Sequence, residues 1–294
     1  MTYSTQVNRL FSIVFGEKIQ KRFESIILVL AGLGFLIHLF LIVLKTNNIG
    51  FLSEINSTLL NDPITAIYTP FSLILLYEVY LLVFYLPRSF TSCVSKQFEI
   101  ISLIVIRKIF KDIPQMDLQG DWYLSQHNLE LMVDLLGFLL LFLLIYLFNT
   151  GKDRLPKRPV NDPKLINFIS SKKVVSLALL FLLIITSVYS LVSWSIATYI
   201  DGFVSNVDGV FFNQFFTLLI LTDVIILLIS FRYTEEYSKL IRNTGFIIAT
   251  ILIRLSFSAE GFLNIILILT GVGFALLILQ IFNAMENPKL DSTA

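Results

Sequence analysis

The chain has 294 residues, 56% hydrophobic and only 15% charged, with 27 Phe and a formal net charge of +1. A soluble domain carries about a quarter charged residues, and apolar runs here recur at lengths of about twenty residues, enough to cross a hydrocarbon core ~30 Å thick. The composition therefore excludes an ordinary soluble domain, the missing alternation of polarity argues against a porin-like barrel, and the near-zero net charge gives no footprint for nucleic acid.

Residues 1–24 come first. Val7, Leu10, Phe11, Val14 and Ile19 are interleaved with Arg9, Lys18, Lys21 and Arg22, the pattern of an amphipathic helix on a membrane surface or packed beneath a bundle. No cleavable signal is expected, because the first long apolar run reads as a retained span over residues 25–44. Its Ala31–Gly34 stretch allows close helix approach, and His38 is expected as a hydrogen-bonded packing residue. Two histidines in the chain are too few for a histidine-rich metal or haem site.

The second span is expected over residues 64–86, with Pro70 in its first third and Glu78 near its middle. The third, over 94–113, is less apolar, carrying Lys96, Glu99, Arg107, Lys108 and Lys111; an amphipathic surface helix is the alternative for it. The sole cysteine, Cys93, rules out an internal disulfide and a cysteine-based metal cluster. After a loop with Trp122 and Tyr123, suited to an interfacial aromatic belt, the fourth span covers 129–148, with Asp134 in its first turns.

The clearest linker is 150–173. Counted from Asn149 it holds seven Lys/Arg against two Asp, with three prolines, and includes Lys157, Arg158, Lys172 and Lys173. Short basic loops face the cytoplasm. Four more spans follow, over 174–200, 211–231, 243–259 and 262–284, and a polar tail over 285–294. With a cytoplasmic N-terminus, eight spans put Arg88/Lys96, the linker and Arg232/Lys239/Arg242 inside, and Glu54/Asp62, Asp117/Asp121, Asp201/Asp208 and Glu260 outside. Arg107, Lys108 and Lys111 are in conflict with that rule, since they would lie near the outer end of the third helix.

Self-similarity points to duplication. Phe71, Leu73, Leu76, Glu78 and Val79 align with Phe216, Leu218, Leu221, Asp223 and Val224, and residues 100–110 align with 247–257 at six of eleven identical positions, Arg107 on Arg254. The fourth and eighth spans both end in Phe-Asn, and the first and fifth both follow paired basic residues, Lys21-Arg22 and Lys172-Lys173. The expected fold is all-α: eight transmembrane helices in two parallel four-helix repeats, 25–149 and 174–284, about an axis along the membrane normal. Glu78 and Arg107 each lie about fourteen residues into their helices, hence at similar depth at 1.5 Å per residue, and Asp223 and Arg254 match them.

Tyr77-Glu78-Val79, with Pro87 nine residues after Glu78, and Phe98-Glu99-Ile100 opening the next helix resemble the second and third helices of voltage-sensor modules. In those four-helix units, acids on helices two and three neutralise cations on helix four. The resemblance covers these two helices of one half. It does not extend to voltage sensing or a pore, because neither 129–148 nor 262–284 carries an arginine ladder and the basic residues sit on the third helix.

No phosphate-binding loop, nucleophile elbow or metal-ligand motif occurs, so no cofactor, metal or catalytic residue is expected. Charged side chains within a membrane point to function unless they neutralise one another. The expected function is a channel or transporter for an ion or small polar solute, with Glu78, Arg107, Asp223 and Arg254 as its site and Glu99, Lys108, His38 and Asp134 as secondary polar candidates. The alternative is a non-transporting scaffold or sensor that binds a partner through the basic linker and the N-terminal helix. The expected partners are the lipid bilayer, the solute, and a second copy or another protein; the expected place is the inner (plasma) membrane with both ends in the cytoplasm.

Overall fold

The computed structural model describes residues 3–47, 60, 63–113, 125–155, 163–201, 207–233, 236–259 and 261–291. These residues are almost entirely helical, with no strand among them: α1 (Tyr3–Val14), α2 (Glu17–Thr46), a 3-10 segment (Pro63–Ile67), α3 (Tyr68–Tyr85), α4 (Phe90–Asp112), α5 (Gln126–Asp153), α6 (Pro163–Asp201), α7 (Val207–Tyr233), α8 (Tyr237–Ser256) and α9 (Phe262–Asp291). Among the described residues six stretches are long and apolar enough to cross a membrane: Gln6–Thr46, Pro63–Tyr85, Gln126–Asp153, Leu165–Thr186, Gln214–Tyr233 and Phe262–Glu286. Their outer faces are apolar as well, with Phe40, Leu136, Phe142, Phe181, Ile184 and Leu228 all exposed. A water-soluble monomer does not carry so continuous an apolar surface, so the chain is a membrane-spanning protein.

Two helices start eight or more residues before the span that hydropathy marks. The N-terminal amphipathic run breaks at Gly16, where a Cβ would sit 2.6 Å from the Ser12 carbonyl oxygen; α2 then begins at Glu17. α1 tucks against the bundle: Val7 is buried, and so is Phe15, just past its end, its ring 5.7 Å from that of Tyr80 on α3. Likewise α6 begins at Pro163, so the second half of the basic linker is helical. Proline is tolerated in a first turn because its missing N–H has no intrahelical partner there, and Phe168 is buried.

α4 and α8 are the least apolar of the long helices and lie at the centre. Phe98 on α4 and Phe246 and Ala249 on α8 have no exposed surface. Along α4 and α5, Ser95 meets Asn149, Phe98 meets Phe148 and Lys108 meets Asp134, an antiparallel register. α7 and α8 pair antiparallel through Phe216–Phe257, Asp223–Arg254 and Ser230–Asn243. α5 and α9 run parallel, Gly137 lying on Ile265 and Gly151 on Leu279. Phe148 links the sequence halves, its ring 5.1 Å from Phe98 and 5.7 Å from Phe246.

The turn from α8 to α9 depends on Gly261, at φ 57°, a region costly for other residues. Asn264 closes the end of α8 by donating to the Ser256 carbonyl at 2.7 Å. Farther along α9, Gly271 is the notch that admits α8: a Cβ there would lie 2.9 Å from the Ala249 carbonyl and 2.8 Å from Ile253 Cγ1. Gly273 has nothing within 4 Å of such an atom. Gly271→Ala should therefore lower the thermal midpoint of the detergent-solubilised protein despite the gain of about 1 kcal/mol in helix propensity, because overpacking costs about 1–3 kcal/mol. Gly273→Ala should leave the midpoint unchanged or raise it.

Candidate functional site: two buried acid–arginine pairs

Hydrocarbon offers an ionised side chain no hydration, so its partners must come from the protein. On α3, Glu78 is 2% exposed. Arg107 Nη1 on α4 lies 3.1 Å from Glu78 Oε2 and donates to the Phe71 carbonyl oxygen at 3.1 Å. Two turns from the acid, the rings of Phe71 and Phe110 pack 5.5 Å apart.

The second pair has the same frame. Asp223 on α7 and Arg254 on α8 are in direct contact, both buried, and the Phe216 and Phe257 rings stack at 4.5 Å and 5°. In each case the first Phe precedes the acid by seven residues and the second follows the arginine by three. Acid, base and both rings thus repeat together.

The pairs differ in how fully they are bonded. Asp223 Oδ2 also accepts from Thr250 Oγ1 at 2.9 Å. Arg254 Nη2 donates to Gln97 Oε1 at 3.1 Å, and Gln97 Nε2 donates to Cys93 Sγ at 3.3 Å. Since Gln97 belongs to α4, this network joins the two halves of the sequence. In the first pair, Glu78 Oε2 is buried and close to Arg107 yet accepts no hydrogen bond from the described residues. Leu103 occupies the position aligned with Thr250, and Thr244 the position aligned with Gln97.

Two of the α4 cations that conflicted with the loop-charge rule, Arg107 and Lys108, are engaged. Lys108 Nζ lies 2.8 Å from Asp134 Oδ2 on α5, a pairing that the sequence reading does not make. The side chain of Lys111 lies outside the described residues. This arrangement inverts the one the voltage-sensor resemblance implies: cations on α4 are met by acids on α3 and α5. Glu99 sits apart from these pairs, in contact with Lys96 and within 3.4 Å of Asn149 Nδ2, in a network that includes Ser95 and Lys152. His38 Nδ1 and Thr69 Oγ1 are 2.6 Å apart, tying α2 to α3; Tyr77 adds a second tie by donating to Glu24 at 2.9 Å.

Of the basic linker, Lys157 and Arg158 lie outside the described residues. Lys172 and Lys173 are part of α6 and bond within the protein, Lys172 to the Arg88 carbonyl and Lys173 to Asn8 Oδ1, each at 2.6 Å.

Thr250 and Gln97 are the site residues the sequence reading missed. Thr250 stands four residues before Arg254, on the same helix face, and that spacing was a usable signal. Gln97 is neutral and far away in sequence, with nothing to link it to Arg254.

No protein-family model matches the chain, and no curated protein or solved structure matches it either.

Proposed function

We propose that this is an eight-span inner-membrane protein, built of two parallel four-helix halves with both ends in the cytoplasm, which passes an ion or small polar solute along the seam at Glu78 and Arg107. The duplicated acid–arginine–aromatic frame supports the repeat, and the parallel packing of α5 on α9 fits an axis along the membrane normal. The loop charges support α4 and α8 as spans. If only the six most apolar stretches crossed, the basic linker and the N-terminal Arg9, Lys18, Lys21 and Arg22 would fall on opposite faces, against the rule that Lys and Arg collect inside. With eight crossings both are cytoplasmic.

The observation that carries the transport reading is the contrast in bonding. Asp223 and Arg254 take further hydrogen bonds with Thr250 and Gln97, as befits a fastener, whereas the buried Glu78 Oε2, beside Arg107, accepts no hydrogen bond from the described residues. A membrane-buried carboxylate oxygen without a hydrogen bond is costly, and a passing cation or donor group would satisfy it. The scaffold reading gains less, because Lys172 and Lys173 bond within the bundle.

The test is flux of a panel of ions and small solutes into proteoliposomes of the pure protein. The expected result is transport of one class by the wild type, its loss in Glu78→Gln, and no recovery in the exchange variant Glu78→Arg/Arg107→Glu even where that variant folds. Folded wild-type protein that moves nothing in the panel would favour the scaffold instead.

A further inference from the structure

Lys172 is 2% exposed, although the sequence places it beside a basic loop. Its ammonium donates to the carbonyl of Arg88, in the turn between α3 and α4, at 2.6 Å. It also lies over the ring of Phe90, the first residue of α4, at 4.7 Å, and over that of Phe168, one turn earlier on α6, at 5.6 Å. Those two rings stack on each other at 6.0 Å and 21°, and Phe168 reaches Tyr233 at the end of α7 at 5.7 Å. A buried ammonium needs compensation; here a carbonyl dipole and two aromatic faces supply it. The side chain therefore joins α6 and α7 to the α3–α4 turn, one half of the chain to the other. Lys21, its counterpart before the first span, is exposed, so this contact is a departure from the repeat. Beside it Cys93 is buried in the same apolar cluster as Phe168 and Leu86.

We infer that Lys172 is a latch that pins the α3–α4 turn of the first half to α6 of the second and holds the cytoplasmic end of the bundle shut over Cys93. This rests on the two-half, cytoplasm-inside reading proposed above, though not on transport. Opening that end, as a carrier must to load from the cytoplasm, requires the ammonium to leave the Arg88 carbonyl.

Cys93 is the only cysteine, so the full native chain reports on itself. A membrane-impermeant maleimide applied to the cytoplasmic face of inside-out vesicles should label wild-type Cys93 slowly. In Lys172→Met, which keeps the length and removes the donor, labelling should be about tenfold faster or more, as loss of a charge-assisted hydrogen bond implies. Lys172→Arg, which keeps a donor, should remain protected, and all three proteins should share a thermal transition. Unchanged labelling in Lys172→Met would overturn the latch. So would acceleration found only where the thermal transition is lost, equal acceleration in Lys172→Arg, or acceleration only from the opposite face. Absence of flux in the proteoliposome experiment leaves the labelling result standing.

Discussion

Arg254→Met should remove most of the stability of the folded bundle, and adding Asp223→Leu should return much of it. Arg254 is 2% exposed and serves two partners on two helices, Asp223 on α7 and Gln97 on α4. Taking the guanidinium away leaves a carboxylate buried with the Thr250 hydroxyl as its remaining hydrogen-bond donor in that network. Breaking a buried pair from one side costs about 3–5 kcal/mol, a large share of the 5–15 kcal/mol typical of a whole domain. Replacing both partners by apolar groups removes the desolvated charge along with its partner and is often close to neutral. Recovery in the double variant should stay incomplete because Gln97 Oε1 loses the donor it had, and Gln97→Leu in the same chain should supply part of the remainder. The readout is the fraction of monodisperse protein that survives a heating series in detergent. A double variant as unstable as the single would mean that the pair contributes through its charges and not merely by their mutual neutralisation. Arg107→Met should cost less, since Arg107 is the more exposed of the two arginines, with 12% of its side chain accessible against 2% for Arg254.

Much of the layout was legible in the chain because the membrane imposes a simple grammar. Apolar runs must be helices, and the described structure has a helix at each of the eight expected stretches. Glu78 and Arg107, and Asp223 and Arg254, could be matched by depth alone, as the rise of a helix is fixed. What stayed hidden falls into two kinds. Helix starts at Glu17 and Pro163 were missed because hydropathy marks where a helix becomes apolar and not where it begins. Contacts between distant neutral or mixed residues were missed because no local pattern encodes them: Gln97 with Arg254, Lys108 with Asp134, and Lys172 with a backbone carbonyl. Lys172 and Lys173 show the limit most clearly. Their composition reads as a solvated basic loop, whereas tertiary packing makes one of them a buried side chain.

Arg107 and Arg254 lie within the membrane only if α4 and α8 cross it, as the proposed eight-span arrangement has them do. Both helices fall outside the six most apolar stretches, and their burial between neighbouring helices together with the loop charges are what support the proposed crossings. The two arrangements put the start of α5 on opposite faces. With α4 across the membrane, Ser125 is outside; without it, Ser125 is on the same side as the α3 end, in the cytoplasm. Ser125 caps α5 and is partly accessible, so a cysteine there should react without disturbing the core. In a chain carrying Cys93→Ser and Ser125→Cys, a membrane-impermeant maleimide added to intact cells should label the protein fully. Labelling only after the cytoplasmic face is exposed would contradict the eight-span arrangement and remove Arg107 from the membrane.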